Sequence, residues 1–181
     1  LALATYFLER PVKVRLARAD DFRLTGKRHP FYNNYTAGFD ENGLIEGVHI
    51  EVNGNCGYSP DLSDAIVDRA MFHADNAYYY PAAKIVGNRC KLNTVSHTAF
   101  RGFGGPQGMI MAELIMDDVA AKLGQDPLTI RKANLYRPGR DVTPYHQKVE
   151  QHVLAGMIET IEKDAQYWER KEAIKVFNKT S

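Results

Sequence analysis

Cysteine is scarce: Cys56 and Cys90 are the only two in 181 residues, far apart and outside any CxxC. A disulfide framework or a zinc ribbon needs more, and two free thiols suit a reducing cytosol. An excess of charge is also missing, with 23 basic against 22 acidic side chains and a formal net charge of +1. That balance excludes a nucleic-acid grip driven by a bulk positive field. Apolar runs such as Val119-Ala120-Ala121 fall far short of the roughly 20 residues a membrane-spanning helix needs. Internal repeats and low-complexity segments are absent. What remains, 44% hydrophobic and 25% charged, is the composition of an ordinary globular chain, long enough for one domain or two small ones.

The opening stretch, Leu1-Ala-Leu-Ala-Thr-Tyr-Phe-Leu8, has neither a basic segment before it nor a small-residue cleavage site after it, so it is not read as a signal peptide. It reads as the tail of an amphipathic helix. Together with the abrupt end at Lys175 to Ser181, it leads us to expect a piece of a longer protein.

The first half has strand character. Val12-Lys-Val-Arg-Leu16 alternates with period two, and Phe31 to Phe39 and Leu44 to Val52 flank Asp40-Glu-Asn-Gly43. Asn-Gly is a strong hairpin signal because both turn positions tolerate positive φ, so an antiparallel hairpin is expected there. Ser59-Pro-Asp61 then starts a helix over about 61–73, with Leu62, Ile66 and Ala70 as its apolar stripe. Arg69 and His73 continue the Leu62/Ile66 line, which puts a charge on that stripe. A strand-like segment follows at 84–94.

Phe100-Arg-Gly-Phe-Gly-Gly-Pro-Gln-Gly108 leads into a helix carrying Met109, Ala112, Ile115, Met116, Val119 and Leu123, with Gly124 as its stop and Met109, Met111 and Met116 expected in the core. Asp126-Pro127 opens a further helix, Arg137-Pro-Gly-Arg140 is a connector, and the chain from Val149 onward reads as helical. The fold class is α+β: mostly antiparallel strands in the first half, a Gly-rich loop into a helix, and a helical C-terminal third. Residues 1–136 form the strand/helix core, and 137–181 the connector and last helices.

A strand, a glycine loop and an amphipathic helix in succession bind anions and flat cofactors. Bare backbone N–H groups approach the ligand, and the helix start adds roughly half a positive charge. This loop completes neither the P-loop nor the dinucleotide fingerprint. Its distinguishing feature is Phe100 and Phe103 among the glycines. They are either packing residues or a clamp for a planar substrate.

Thr98-Ala-Phe-Arg-Gly-Phe-Gly-Gly-Pro-Gln107 resembles the signature loop of the molybdenum hydroxylases, in particular the molybdopterin-binding part of their xanthine dehydrogenase branch. Thr25-Gly-Lys-Arg-His-Pro-Phe31, Asp61-Leu-Ser63, Arg69-Ala-Met-Phe-His-Ala-Asp-Asn76 and Arg89-Cys-Lys-Leu-Asn-Thr94 follow in that family's order and spacing. One departure is His97, where the family pattern has Asn.

The resemblance implies that Arg69, Phe103 and Phe100 bind a purine, and that Arg101 and Gly102 bind the molybdopterin cofactor, with the Arg101 backbone beside the molybdenum. The implied reaction is hydroxylation of hypoxanthine and xanthine to urate. Negative charge builds on the heterocycle, and a guanidinium stabilises it. FAD and [2Fe-2S] clusters on other domains or subunits, and NAD as acceptor, are implied with it, in a cytoplasmic dimeric enzyme. The general base, a second purine-binding glutamate and a glutamine beside the metal all match positions outside these residues. The fragment alone is therefore expected to be inactive. Glu113 is expected to be a solvent-facing acid, and His29, His49, His73, His97, His146 and His152 to be structural or exposed. The alternatives are an aldehyde oxidase-type molybdenum hydroxylase, favoured less by Arg69, or a non-catalytic binding or scaffold module.

Overall fold

In the computed structural model, which describes residues 1–180, a central strand is paired along both of its edges. β1 (Phe31–Phe39) and β2 (Ile45–Gly57) form the expected hairpin, antiparallel, with Phe31 opposite Gly54 and Ala37 opposite Val48. The turn is held by Asp40, whose Oδ1 accepts the N–H groups of Asn42 (2.9 Å) and Leu44 (2.8 Å). β3 (Ala83–Lys91) lies on the other side of β2 and runs parallel to it, with Ile50 beside Ile85. The pairing is thus half antiparallel and half parallel. The helix between β2 and β3 makes the crossover that a parallel pair requires.

That helix, α3 (Ser63–Phe72), packs on β2 and β3, and α4 (Gly105–Leu123) packs on α3 and β1. α3 buries Ile66, Val67 and Ala70; α4 buries Met111, Ala112, Ile115, Met116, Val119 and Ala120, against Ile50 and Val52 of β2. Gly124 ends α4 in the left-handed region (φ 64), as its position promised. α5 (Pro127–Asn134) starts on Asp126, whose Oδ1 accepts the Leu128 N–H at 2.7 Å.

Three expectations are corrected. Val12 to Leu16 is not a strand: the segment between α1 (Ala2–Leu8) and α2 (Arg18–Leu24) is irregular and largely exposed, since no strand among the described residues pairs with it. Met109 is exposed at 38%, whereas Met111 and Met116 are core. The helical end begins at Val153 and is two helices, α6 (Val153–Asp164) and α7 (Tyr167–Thr180), broken at Gln166 (φ 49). Ser181, the last residue of that expected stretch, lies outside the described residues.

Asn134 ties the end of α5 to the hairpin turn. It is fully buried; its Oδ1 accepts from Ile45 N (2.9 Å), and its Nδ2 donates to Gly43 O (2.8 Å) and Ile130 O (2.9 Å). Asn134→Ala would leave buried backbone groups unpaired, and we expect a loss of about 2 to 3 kcal/mol in chemical denaturation. A loss below about 0.5 kcal/mol would mean that the turn is held without it.

Candidate functional site

The glycine loop sits directly on α3 because it has no side chains where the two backbones meet. A Cβ on Gly104 would fall 2.0 Å from the Ile66 carbonyl oxygen, and one on Gly108 would fall 2.0 Å from that of Ala70. Gly102, Phe103 and Gly104 take positive φ in succession (93°, 50° and 94°). The loop closes on itself through Phe103 N–H to Phe100 O (2.8 Å) and Gly105 N–H to Gly102 O (2.9 Å).

The N–H groups of Arg101, Gly102 and Gly104 meet no acceptor among the described residues. Residues 98–107 contain no acid, and the loop opens a helix of 19 residues. Free donors, a helix start and no competing carboxylate fit an oxygen-rich, anionic cofactor. No group of three or more His, Cys, Asp or Glu among the described residues is placed to hold a metal ion.

Phe100 is 54% exposed, and Phe103 is half-buried at the elbow of the loop. The gap lined by Phe100, Phe103, Arg28, His29, Ile66 and Gln107 is too small for a water molecule. Arg69 stands outside that gap, exposed on α3 between Ile66 and Ala70, the two residues on which the loop and α4 rest. Its guanidinium has no hydrogen-bond or ion-pair partner among the described residues, while its carbonyl accepts from His73 Nδ1 (2.8 Å). The expected stripe holds at Ile66 and Ala70 and fails at Leu62 and Arg69. Ser63, Ile66, Val67 and Ala70 face the core, Leu62 is 46% exposed, and Arg69 lies off the buried face. Beyond His73, Phe72, Asp75, Asn76, Met109, Tyr145 and Gln147 line an open cleft of about 580 Å³.

Glu113 is not the free surface acid expected. Its Oε1 accepts from Asn76 Nδ2 and Tyr78 Oη, and its Oε2 from Arg131 Nε, each at 2.8 Å. It joins α4, α5 and the turn after α3. Burial, and then its bond to Glu113, push the Tyr78 hydroxyl's pKa well above its ordinary value. The role is structural.

Two residues without an assigned role in the sequence reading, Arg28 and His29, lie under the loop. Arg28 Nη2 donates to Arg101 O (2.5 Å), and its guanidinium carbon is 4.5 Å from the Phe100 ring centroid. His29 is buried, pairs with Ser63 Oγ through Nε2 (2.8 Å), and its carbonyl accepts from Gln107 Nε2 (3.2 Å). Only their membership of the Thr25–Phe31 segment marked them, because their partners lie 34 to 78 residues away in sequence. His97, the departure from the family pattern, accepts from Lys27 N at 3.4 Å through Nδ1 and lies 5.8 Å from the His29 ring.

Burial, and then the neighbouring His97, hold the His29 pKa below its ordinary 6.5. A lowered histidine pKa means that the folded state binds fewer protons than the unfolded one, so stability falls as pH drops through and below 6.5. We expect the thermal midpoint to fall on acidification in this window, and His29→Gln to flatten the slope; an unchanged slope would count against this.

Residues 1–135 match the sequence family of the molybdopterin cofactor-binding domain. The chain is 44% identical over 179 residues to the xanthine dehydrogenase/oxidase of Gallus gallus and 43% identical over 179 residues to the xanthine dehydrogenase of Drosophila subobscura. In each case it covers 99% of this chain and spans 13% of the relative's length. The aldehyde oxidoreductase from Desulfovibrio gigas superposes with a TM-score of 0.81 at 33% identity, over 92% of this chain and 18% of that one.

Proposed function

The chain belongs to the molybdopterin cofactor-binding domain family, and from that premise we propose that it is one wall of the active site of a xanthine dehydrogenase-type molybdenum hydroxylase. The observation that carries the reading is the unpaired Arg69 guanidinium, on the helix where the donor-rich glycine loop is seated. When bound, the cofactor supplies the oxidising molybdenum centre at which a ring carbon is hydroxylated.

The chain's own residues bind and orient. Backbone N–H groups of Arg101 and Gly102 hold the cofactor, with the Arg101 main chain beside the metal. Phe103 is one of two aromatics that sandwich the purine plane, the other lying outside these residues, and Phe100 lines the same pocket wall. Arg69 faces the ring and stabilises the negative charge that develops there, an electrostatic role that grows toward the transition state. Residues 1–136 form the core of a partial cofactor domain, to which 137–181 add the connector and last helices. The general base, the FAD and [2Fe-2S] centres, NAD as acceptor and the dimeric, cytoplasmic state belong to the whole enzyme in this reading. Among the described residues no helix is long and apolar enough to cross a membrane.

An aldehyde-oxidising parent is the second reading, favoured by the likeness to the Desulfovibrio gigas enzyme. The test is urate formation by the molybdenum-loaded parent. Xanthine turnover, with none from the isolated chain, supports the proposal; a molybdenum-loaded parent that oxidises aldehydes and leaves xanthine untouched overturns it.

A further inference from the structure

We propose that Arg28 is the positioning residue of the glycine loop, a role that rests on the functional reading above. Arg28 is itself fixed. Thr98 N–H donates to Lys27 O (3.1 Å), and a Cβ on Gly26 would lie 2.0 Å from the Ser96 carbonyl oxygen, so the 26–28 backbone lies flat along 96–98. From that fixed point the guanidinium makes two different contacts with the loop. Nη2 holds the Arg101 carbonyl at 2.5 Å, and the cation stands 4.5 Å from the centre of the Phe100 ring. Its Nη1 is buried without a protein acceptor and would lie 3.8 Å from a Cβ placed on Gly102. The next residue holds the far arm, through Gln107 Nε2 to the His29 carbonyl (3.2 Å).

Arg28 therefore sets the position of the Arg101 carbonyl and the Phe100 ring without touching substrate. A loop rich in positive φ has few contacts of its own to define one geometry, and small displacements of reacting groups are costly to rate. Lysine keeps the charge but lacks the planar fork that reaches a carbonyl and an aromatic plane together.

The experiment uses the full-length enzyme carrying Arg28→Lys, Arg28→Met, Phe100→Leu and the Arg28→Met/Phe100→Leu pair. Both Arg28 variants are expected to keep their molybdenum content and thermal midpoint, and to lose about tenfold in kcat for xanthine with KM changed less than about threefold. The double variant is expected to lose clearly less than the product of the two single losses. Losses that multiply in the pair, losses that only track molybdenum content or unfolding, or unchanged kinetics would each overturn the proposal.

A second readout needs neither cofactor nor substrate. The Arg101 carbonyl held by Arg28 is the one trypsin must attack to cut Arg101–Gly102. In cofactor-free full-length protein, Arg28→Met is expected to speed that cut about tenfold, read by mass spectrometry. Equal rates, including no cutting in either protein, would overturn the role. If wild type fails on xanthine while this difference holds, the substrate reading fails and the bracket stands.

Discussion

Replacing Gly104 by alanine is expected to destabilise the chain by more than about 4 kcal/mol and to empty the parent enzyme of its cofactor. The added methyl would lie 2.0 Å from the Ile66 carbonyl oxygen, which is helix backbone and cannot swing aside. The position also has φ 94°, which an L side chain rarely adopts. Relief would require lifting the loop off α3, and that moves the Arg101 and Gly102 donors. Gly156→Ala is the control. It lies within α6 with nothing within 4 Å of a Cβ, so alanine there should gain roughly 0.5 to 1 kcal/mol from helix propensity. Denaturation of both variants and molybdenum analysis of the parent check the pair. Near-wild-type stability of Gly104→Ala would refute the seating of the loop on α3.

Arg69→Met is expected to act in the opposite way, leaving stability alone and damaging chemistry. Arg69 is exposed, and its guanidinium binds nothing among the described residues, so the fold should change by less than about 0.5 kcal/mol. In the parent, kcat/KM for xanthine is expected to fall about 100- to 1000-fold, the scale for removing one group that stabilises transition-state charge. An aldehyde develops its negative charge on the carbonyl oxygen and not on a heterocycle, so its oxidation should change by less than about fivefold. Equal losses on both substrates would remove Arg69 from the purine site.

Much of the fold was legible where the signal was local. Asn42-Gly43 with flanking alternation marked the hairpin, Asp126-Pro127 marked the start of α5, and Gly124 closed α4. The errors arose where distant partners decide. Val12 to Leu16 alternates well, but a strand needs a neighbour to pair with, and this segment has none among the described residues. On α3, Ile66 and Ala70 were placed correctly on the buried face, whereas Leu62 and Arg69 were wrongly added to it. Ser63, polar in sequence, is buried by its bond to His29, while Leu62 is left outside. Glu113 looked like a surface acid because its partners Asn76, Tyr78 and Arg131 converge only in the fold.

The glycine loop itself was legible from Phe100 to Gly108 as a side-chain-poor turn opening a helix. Its seating on Ile66 and Ala70, and the bracket from Arg28, were not, because each contact joins segments separated by dozens of residues.

A structure of the full-length enzyme with xanthine bound decides whether this chain forms the purine wall. The cofactor is expected beside the Arg101 and Gly102 backbone, the Phe103 ring within about 7 Å of the purine centre, and an Arg69 nitrogen within about 3.2 Å of a purine oxygen. A cofactor seated away from residues 100–105, or a purine out of reach of Arg69, would contradict this arrangement.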